Sequence, residues 1–151
     1  MINEINGGHL NTRHESFTST SFNGFSILCS FCISDNQTII EQMAEQIISL
    51  KIFHNENNEY DLTIVNVRGD ILSISQKYLY CTRLNDDLLP GISCDKEMAE
   101  LLYQHWLDIL SDRYLGGVIK DGIFGEQVEV AIVNEGQLMI ELDSKFLIYQ
   151  V

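Results

Sequence analysis

The side chains best able to do chemistry in this 151-residue chain are four cysteines, four histidines and 22 acidic residues, and their spacing limits what they can support. Cys29 and Cys32 stand in a Cys-x-x-Cys spacing, which serves thiol redox chemistry at a helix N-terminus or zinc binding where a second pair follows. Neither condition holds: the pair lies within Ser26–Ile33, a buried-strand pattern, and Cys81 and Cys94 stand alone. All four read as small core hydrophobes of a reducing compartment. His9 and His14 lie in a polar opening without a carboxylate-rich partner motif, so no metal site is expected, and His105 reads as a boundary or core residue of a helix. The acidic residues are spread as a solvated surface. Gly116, Gly117, Gly122 and Gly125 do not open a helix after a strand, which argues against a phosphate-cradling loop. Arg68-Gly69-Asp70 reads as a hairpin turn rather than an extracellular adhesion tripeptide.

Positioning any such group falls to a chain with 45% hydrophobic and 21% charged residues, a globular composition. Its longest apolar runs, Ile27–Ile33, Ile71–Ile74 and Phe146–Tyr149, are strand-sized and far short of a membrane span. The length predicts one domain over residues 1–151, with no internal repeat or linker. Residues 1–22 are a poorly defined N-terminal segment, either a ragged hairpin or a mobile terminus. Met1-Ile2-Asn3-Glu4 carries neither a basic nor an apolar signal region, so the expected location is the cytoplasm. A net charge of −13 with nine scattered Lys and Arg excludes an extended nucleic-acid surface; any nucleic acid would be held at one end.

Phe25–Ile33 reads as a central strand. Ser34-Asp35-Asn36 signals a helix start, and Ile40, Met43, Ala44, Ile47 and Leu50 form one apolar stripe. After a turn at 55–58, Leu62, Ile64 and Val67 begin a strand that Arg68-Gly69-Asp70 turns back into Ile71–Ser75, predicting a hairpin. Asn85–Gly91, with Pro90, is a loop. Ser93 or Asp95 caps a second helix with an apolar face of Met98, Leu101, Leu102, Trp106 (or His105), Ile109 and Leu110, and Gly116-Gly117 ends its tail. Strands at 128–132, 138–142 and 146–151 follow, for an order of ββαββαβββ.

One stretch, Asp121-Gly122-Ile123-Phe124-Gly125 through Val128–Val133 to Asn134-Glu135-Gly136, groups three glycines around one alternating strand. Taken alone, Gly125 and Gly136 are explained by turns at positive φ. With Ala99-Glu100-Leu101-Leu102-Tyr103 before it, and Lys51-Ile52-Phe53 and Ile71–Gln76 upstream, the order and spacing over about residues 24 to 142 resemble the D-aminoacyl-tRNA deacylase (D-tyrosyl-tRNA deacylase) family. The family signature Ser-Gln-Phe-Thr-Leu is met by Ser75-Gln76-Lys77-Tyr78-Leu79, which keeps Ser, Gln and Leu. The second, Asn-x-Gly-Pro-x-Thr, is met by Asn134-Glu135-Gly136-Gln137-Leu138-Met139, which lacks the proline and the threonine.

The resemblance implies an α/β domain with a mostly antiparallel, barrel-like sheet and two packed helices, working as a homodimer. It implies hydrolysis of the ester at the 3′ end of an aminoacyl-tRNA by backbone donors and the substrate's own ribose hydroxyl, with no metal and no cofactor. Carried onto this chain, Ser75 and Gln76 are the catalytic positions, and Tyr78, Phe124, Asn134, Gly136, Gln137 and Met139 bind substrate, Phe124 packing on the terminal adenosine. In the family a cis Gly-Pro pair enters the partner's pocket and rejects L-amino acids. A cis bond before Gln137 would cost about 2.5–4 kcal/mol against about 0.5–1 before proline, so it is expected trans and chiral selection altered or relaxed. The alternative is a catalytically degenerate homodimer of this fold, acting as a binding or accessory protein or repurposed in a biosynthetic pathway.

Overall fold

The computed structural model describes residues 2–5, 8–12, 18–21, 24–84, 87–90, 93–133 and 138–145. The chain opens with strands β1 (Ile2–Ile5), β2 (Gly8–Thr12), β3 (Thr18–Ser21) and β4 (Gly24–Cys29), followed by helix α1 (Gln37–Ser49). Next come β5 (Phe53–His54), β6 (Tyr60–Leu62), the short helix α2 (Ile64–Val67) and β7 (Asp70–Ser75). A 3-10 turn at Lys77–Tyr80 leads to β8 (Cys81–Leu84) and β9 (Asp87–Pro90). Helix α3 (Lys96–Arg113), β10 (Ile119–Asp121), β11 (Val128–Ile132) and β12 (Met139–Ile140) complete the order. The expected strand at 146–151 falls outside the described residues.

Five strands form one sheet in the order β10-β7-β4-β1-β12. β4 pairs in parallel with β7 and β7 with β10, whereas β1 is antiparallel to both β4 and β12. A second sheet has the order β11-β2-β3, and among the described residues neither sheet closes on itself. The expectation of a mostly antiparallel barrel is thus corrected to open sheets, the larger of mixed direction. Its physical reason is the helical crossovers: parallel neighbours need a long connection, supplied by the α1–α2 segment between β4 and β7 and by α3 between β7 and β10.

The expected hairpin over 62–75 fails for a local reason. The Thr63 side chain accepts from the Asn66 N–H, and the Asn66 carboxamide oxygen accepts from the Thr63 N–H at 2.8 Å, a reciprocal cap that winds 64–67 into α2. Arg68 ends it in the left-handed region at φ 52°, and β7 then runs on beside β4. The α1 stripe forms as expected: the Asn36 side chain accepts from the Ile39 N–H, and Ile40, Ala44 and Ile47 are buried. Asp95 caps α3, accepting from the Met98 N–H at 2.8 Å. Met98 and Leu101 of the expected face are instead exposed (48% and 68%), and Tyr103 is buried with Leu102, Trp106 and Leu110.

Strand alternation splits the core. Phe25, Ile27 and Ile71 pack with Ile40, Ala44, Ile47, Trp106 and Leu110 of the helices. Leu72 and Ile74 point the other way, where Leu28, Val128 and Ile132 cover them, so the three-stranded sheet lies on the face opposite the helices. At the N-terminal ends of the parallel strands the Tyr114 hydroxyl reaches the carbonyls of Ile64 and Gly69, and the Ile71 N–H donates to the Val118 carbonyl at 2.9 Å. A β-carbon at Gly117 would overlap the Gly69 carbonyl, so this approach requires glycine. That stitching fixes the opposite ends of the same strands. Among the described residues, no helix is long and apolar enough to cross a membrane.

Candidate active site

Strands β4, β7 and β10 run parallel and end at one edge, the register placing Cys29 beside Ser75 and Asp121 beside Ser73. In open α/β sheets such an edge is where loops converge on ligands. Ser75, half-buried, is the last residue of β7, and its hydroxyl has no partner among the described residues. The Gln76 N–H donates to the Cys29 carbonyl at 2.7 Å, tying the turn to β4. The Gln76 side-chain oxygen accepts from the Tyr78 N–H at 3.2 Å, and its backbone carbonyl accepts from the Leu79 N–H at 3.3 Å. Both acceptors of Gln76 are therefore engaged with the turn, which leaves its amide N–H groups to donate. Tyr78 is exposed, with the Lys77 ammonium 4.9 Å from its ring centre.

Phe124 follows β10 and stacks obliquely on Tyr103, ring centres 5.5 Å apart. The Tyr103 ring also meets Phe31 edge-on at 6.3 Å, and its hydroxyl donates to the Ser73 carbonyl at 3.0 Å. The Trp106 indole N–H donates to the Ser73 hydroxyl at 3.1 Å, so α3 grips β7 two residues before Ser75. Gly125 adopts φ +76°, the conformation that lets the chain turn from Phe124 toward β11. Between α3 and this turn lies a groove of about 320 Å³, lined by Tyr103, Gln104, Asp121 and Phe124, with Glu100. A second, mostly apolar cleft of about 170 Å³ lies between Leu79, α1 and residues 141–144, where the Ser144 hydroxyl donates to Asp35 Oδ1 at 3.1 Å.

The titratable groups at the edge narrow the chemistry. Burial pushes the Cys29 thiol up to about 12, the nearby Ser73 hydroxyl offsetting only part of that. At neutral pH it is a protonated thiol and no nucleophile. Burial also raises the Tyr103 phenol, which stays neutral. The Asp121 carboxyl is raised by burial as well, its own backbone N–H acting weakly against this. Among the described residues no cluster of His, Cys, Asp and Glu is arranged to hold a metal.

One protomer thus brings together Ser75, Gln76 and Tyr78 on one strand end, with Phe124 on the next. It does not bring Met139, which sits opposite Asn3 on β12, level with Ser26 and Leu72. That is three strand spacings away, about 14 Å, and Met139 is 59% exposed. Asn134, Gly136 and Gln137 lie outside the described residues. Tyr103 and Asp121 join the site without having been singled out in the sequence. The 3–4 spacing of Tyr103, Trp106 and Leu110 is the signal that could have found the first.

Residues 1–143 match the family described as D-Tyr-tRNA(Tyr) deacylase. The chain is 36% identical over 124 residues to the D-aminoacyl-tRNA deacylase of Listeria innocua serovar 6a, covering 81% of each. The solved structure of the c-Myc DNA Unwinding Element Binding Protein superposes with a TM-score of 0.87 at 26% identity, over 94% of this chain and 95% of that one. That of a probable eukaryotic D-amino acid tRNA deacylase shares the fold, with a TM-score of 0.78 at 14% identity over 89% and 92%.

Proposed function

The chain belongs to the D-Tyr-tRNA(Tyr) deacylase family, and from that premise we propose that it hydrolyses the ester joining an amino acid to the 3′ end of a tRNA, as a single-domain homodimer in the cytoplasm. The observation that carries the reading is the convergence of Ser75, Gln76 and Phe124 on one edge of parallel strands. Gln76, its acceptors occupied by the turn, offers amide N–H groups to the oxygen that gains charge as the ester carbonyl is attacked. Ser75 places the ester, Tyr78 borders it, and Phe124 packs on the terminal adenosine. With the Cys29 thiol held protonated, attack falls to water, assisted by the ribose hydroxyl beside the ester.

The dimer supplies what one protomer lacks. Met139 is exposed on β12, as are Val130 on β11 and Val133 just beyond its end (36% and 69%), leaving apolar side chains that a second copy would cover. Asn134, Gly136, Gln137 and Met139 would then border the partner's pocket. Glutamine where the family carries proline leaves the pocket less sharply shaped against L-amino acids, so chiral choice is relaxed.

The test is release of amino acid from D-tyrosyl-, L-tyrosyl- and glycyl-tRNA at equal concentrations. The D-substrate should be hydrolysed well above its spontaneous rate, with measurable turnover of at least one of the others. No release above background from any of the three sinks the hydrolase reading, while D-only turnover removes the relaxed chirality and leaves the rest. Sedimentation at micromolar concentration should give twice the chain mass; a monomer that retains full activity would refute the shared pocket.

A further inference from the structure

The groove beside Phe124 contains a carboxylate that the hydrolytic step does not use. Asp121 ends β10 on the helix side of the sheet, in the hollow formed with Tyr103, Gln104 and Phe124. It is half-buried, and no cation or side-chain donor pairs with it among the described residues; the nearest ammonium on its own strand, Lys120, lies 3.9 Å from Asp70 instead. A carboxylate withdrawn from water without a partner is unfavourable unless a ligand donates to it.

We propose that Asp121 is a specificity-determining residue that reads the terminal base: its carboxylate accepts a hydrogen bond from the exocyclic amine of an adenine seated on the Phe124 ring. This rests on the hydrolase reading and extends it. Asp121 is level with Ser73 on the adjacent strand, so it stands one strand spacing across and two residues back from Ser75, about 8 Å in all. The α-ammonium of an aminoacyl ester lies only about 2.5 Å from the ester carbonyl carbon and so stays near Ser75, whereas a base carried across the ribose extends toward Asp121. Phe124 is only partly buried and is braced from behind by Tyr103, ring centres 5.5 Å apart, so it offers an aromatic surface on which a planar heterocycle can stack.

The reading is tested with two amide-linked, non-hydrolysable ligands, 3′-(D-alanylamino)-3′-deoxyadenosine and its inosine counterpart, titrated by calorimetry into the full-length protein. Inosine replaces the amine donor with a carbonyl acceptor that faces the carboxylate, so the wild type should bind the adenosine ligand at least about tenfold tighter. In Asp121→Asn the amide can donate to that carbonyl as well as accept from the amine, so the preference should collapse to within about twofold while adenosine binding persists. Equal binding of both ligands by the wild type overturns the proposal, as does an unchanged preference in Asp121→Asn. D-aminoacyl-tRNA hydrolysis measured alongside separates the two readings. Normal turnover without base preference removes only the role of Asp121, whereas no turnover and no binding of either ligand removes both. The wild-type comparison needs no variant and stands whatever the substitution does to folding.

Discussion

Ser73 is the point at which α3 holds the strand that ends in the candidate catalytic residues, and Ser73→Ala tests whether that grip stabilises the fold. Ser73 is fully buried and Trp106 is 3% exposed, so the indole N–H that donates to the Ser73 hydroxyl at 3.1 Å has no route to water once the hydroxyl is removed. The Tyr103 hydroxyl is unaffected, because it donates to the Ser73 backbone carbonyl at 3.0 Å. One stranded buried donor costs about 1–3 kcal/mol. Taking the middle of that range, a chain of this size should melt roughly 4–8 °C lower. Scanning calorimetry at fixed protein concentration measures this directly, concentration being held because any dimer adds to apparent stability. The cavity left by the missing oxygen would blur the result, and a double-mutant cycle with Trp106→Phe separates it: the two changes should couple by about 1 kcal/mol or more, since the second removes the donor that the first strands. A melting temperature within about 1 °C of the wild type, or purely additive substitutions, would show that the indole finds another acceptor and that the grip on β7 is packing alone.

Gln76→Ala should lower kcat by about a hundredfold with KM changed far less, because it removes the donor proposed to meet the developing negative charge. Single-turnover hydrolysis of a D-aminoacyl-tRNA measures it, and an unchanged kcat would move the oxyanion donor elsewhere. Asp121→Asn should raise the melting temperature near pH 7. Because burial raises the folded-state value of the Asp121 carboxyl, its contribution is intact below the ordinary carboxylate value of 3.8 and is lost as pH rises through the folded value. The advantage of the variant should therefore fade as pH falls below that range, and a pH-independent difference would contradict the burial argument. Cys29, with its thiol at about 12, should resist iodoacetamide at pH 8 in the native protein, as read by peptide mass mapping; rapid labelling would reopen a thiolate mechanism.

Much of the helix layer was legible in the sequence. An apolar stripe of 3.6 period behind Asn36 admits one interpretation, and Ile40, Ala44 and Ile47 are buried as the stripe requires. The sheet was harder to read. Ile71–Ile74 is the same apolar run whether it returns in a hairpin or lies buried between parallel neighbours, and periodicity cannot separate the two. The deciding signal was Thr63 with Asn66, a cap pair whose second member is not the usual Glu or Gln. Met98 and Leu101 illustrate a different limit, since a broad helical face shows more apolar residues than the core takes up. At the candidate site, the Ser75-Gln76 strand end was picked out by its resemblance to a family signature, and the structure shows it as a strand end followed by a turn. Asp121 was not, being one acidic residue among 22 until the register set it beside Ser73 in a hollow.

The arrangement also bears on why a signature can lose an aromatic and a threonine at Lys77 and Tyr78 while its turn survives. The turn is built from the Gln76 N–H on the Cys29 carbonyl and from the two oxygens of Gln76 on the Tyr78 and Leu79 N–H groups. None of those bonds uses the side chain of residue 77 or 78, so substitution there alters what borders the ligand without altering where Ser75 and Gln76 stand. The same holds behind the site, where Ser73, Tyr103 and Trp106 fix the strand by contacts that do not pass through the turn. Changes at Lys77 and Tyr78 should accordingly shift which aminoacyl group is accepted, through KM and the ratio between substrates. Changes at Gln76 or Ser73 should act on turnover or on the fold. A Tyr78→Phe variant that lost kcat on every substrate alike would show that the phenol takes part in the chemistry and would break this division.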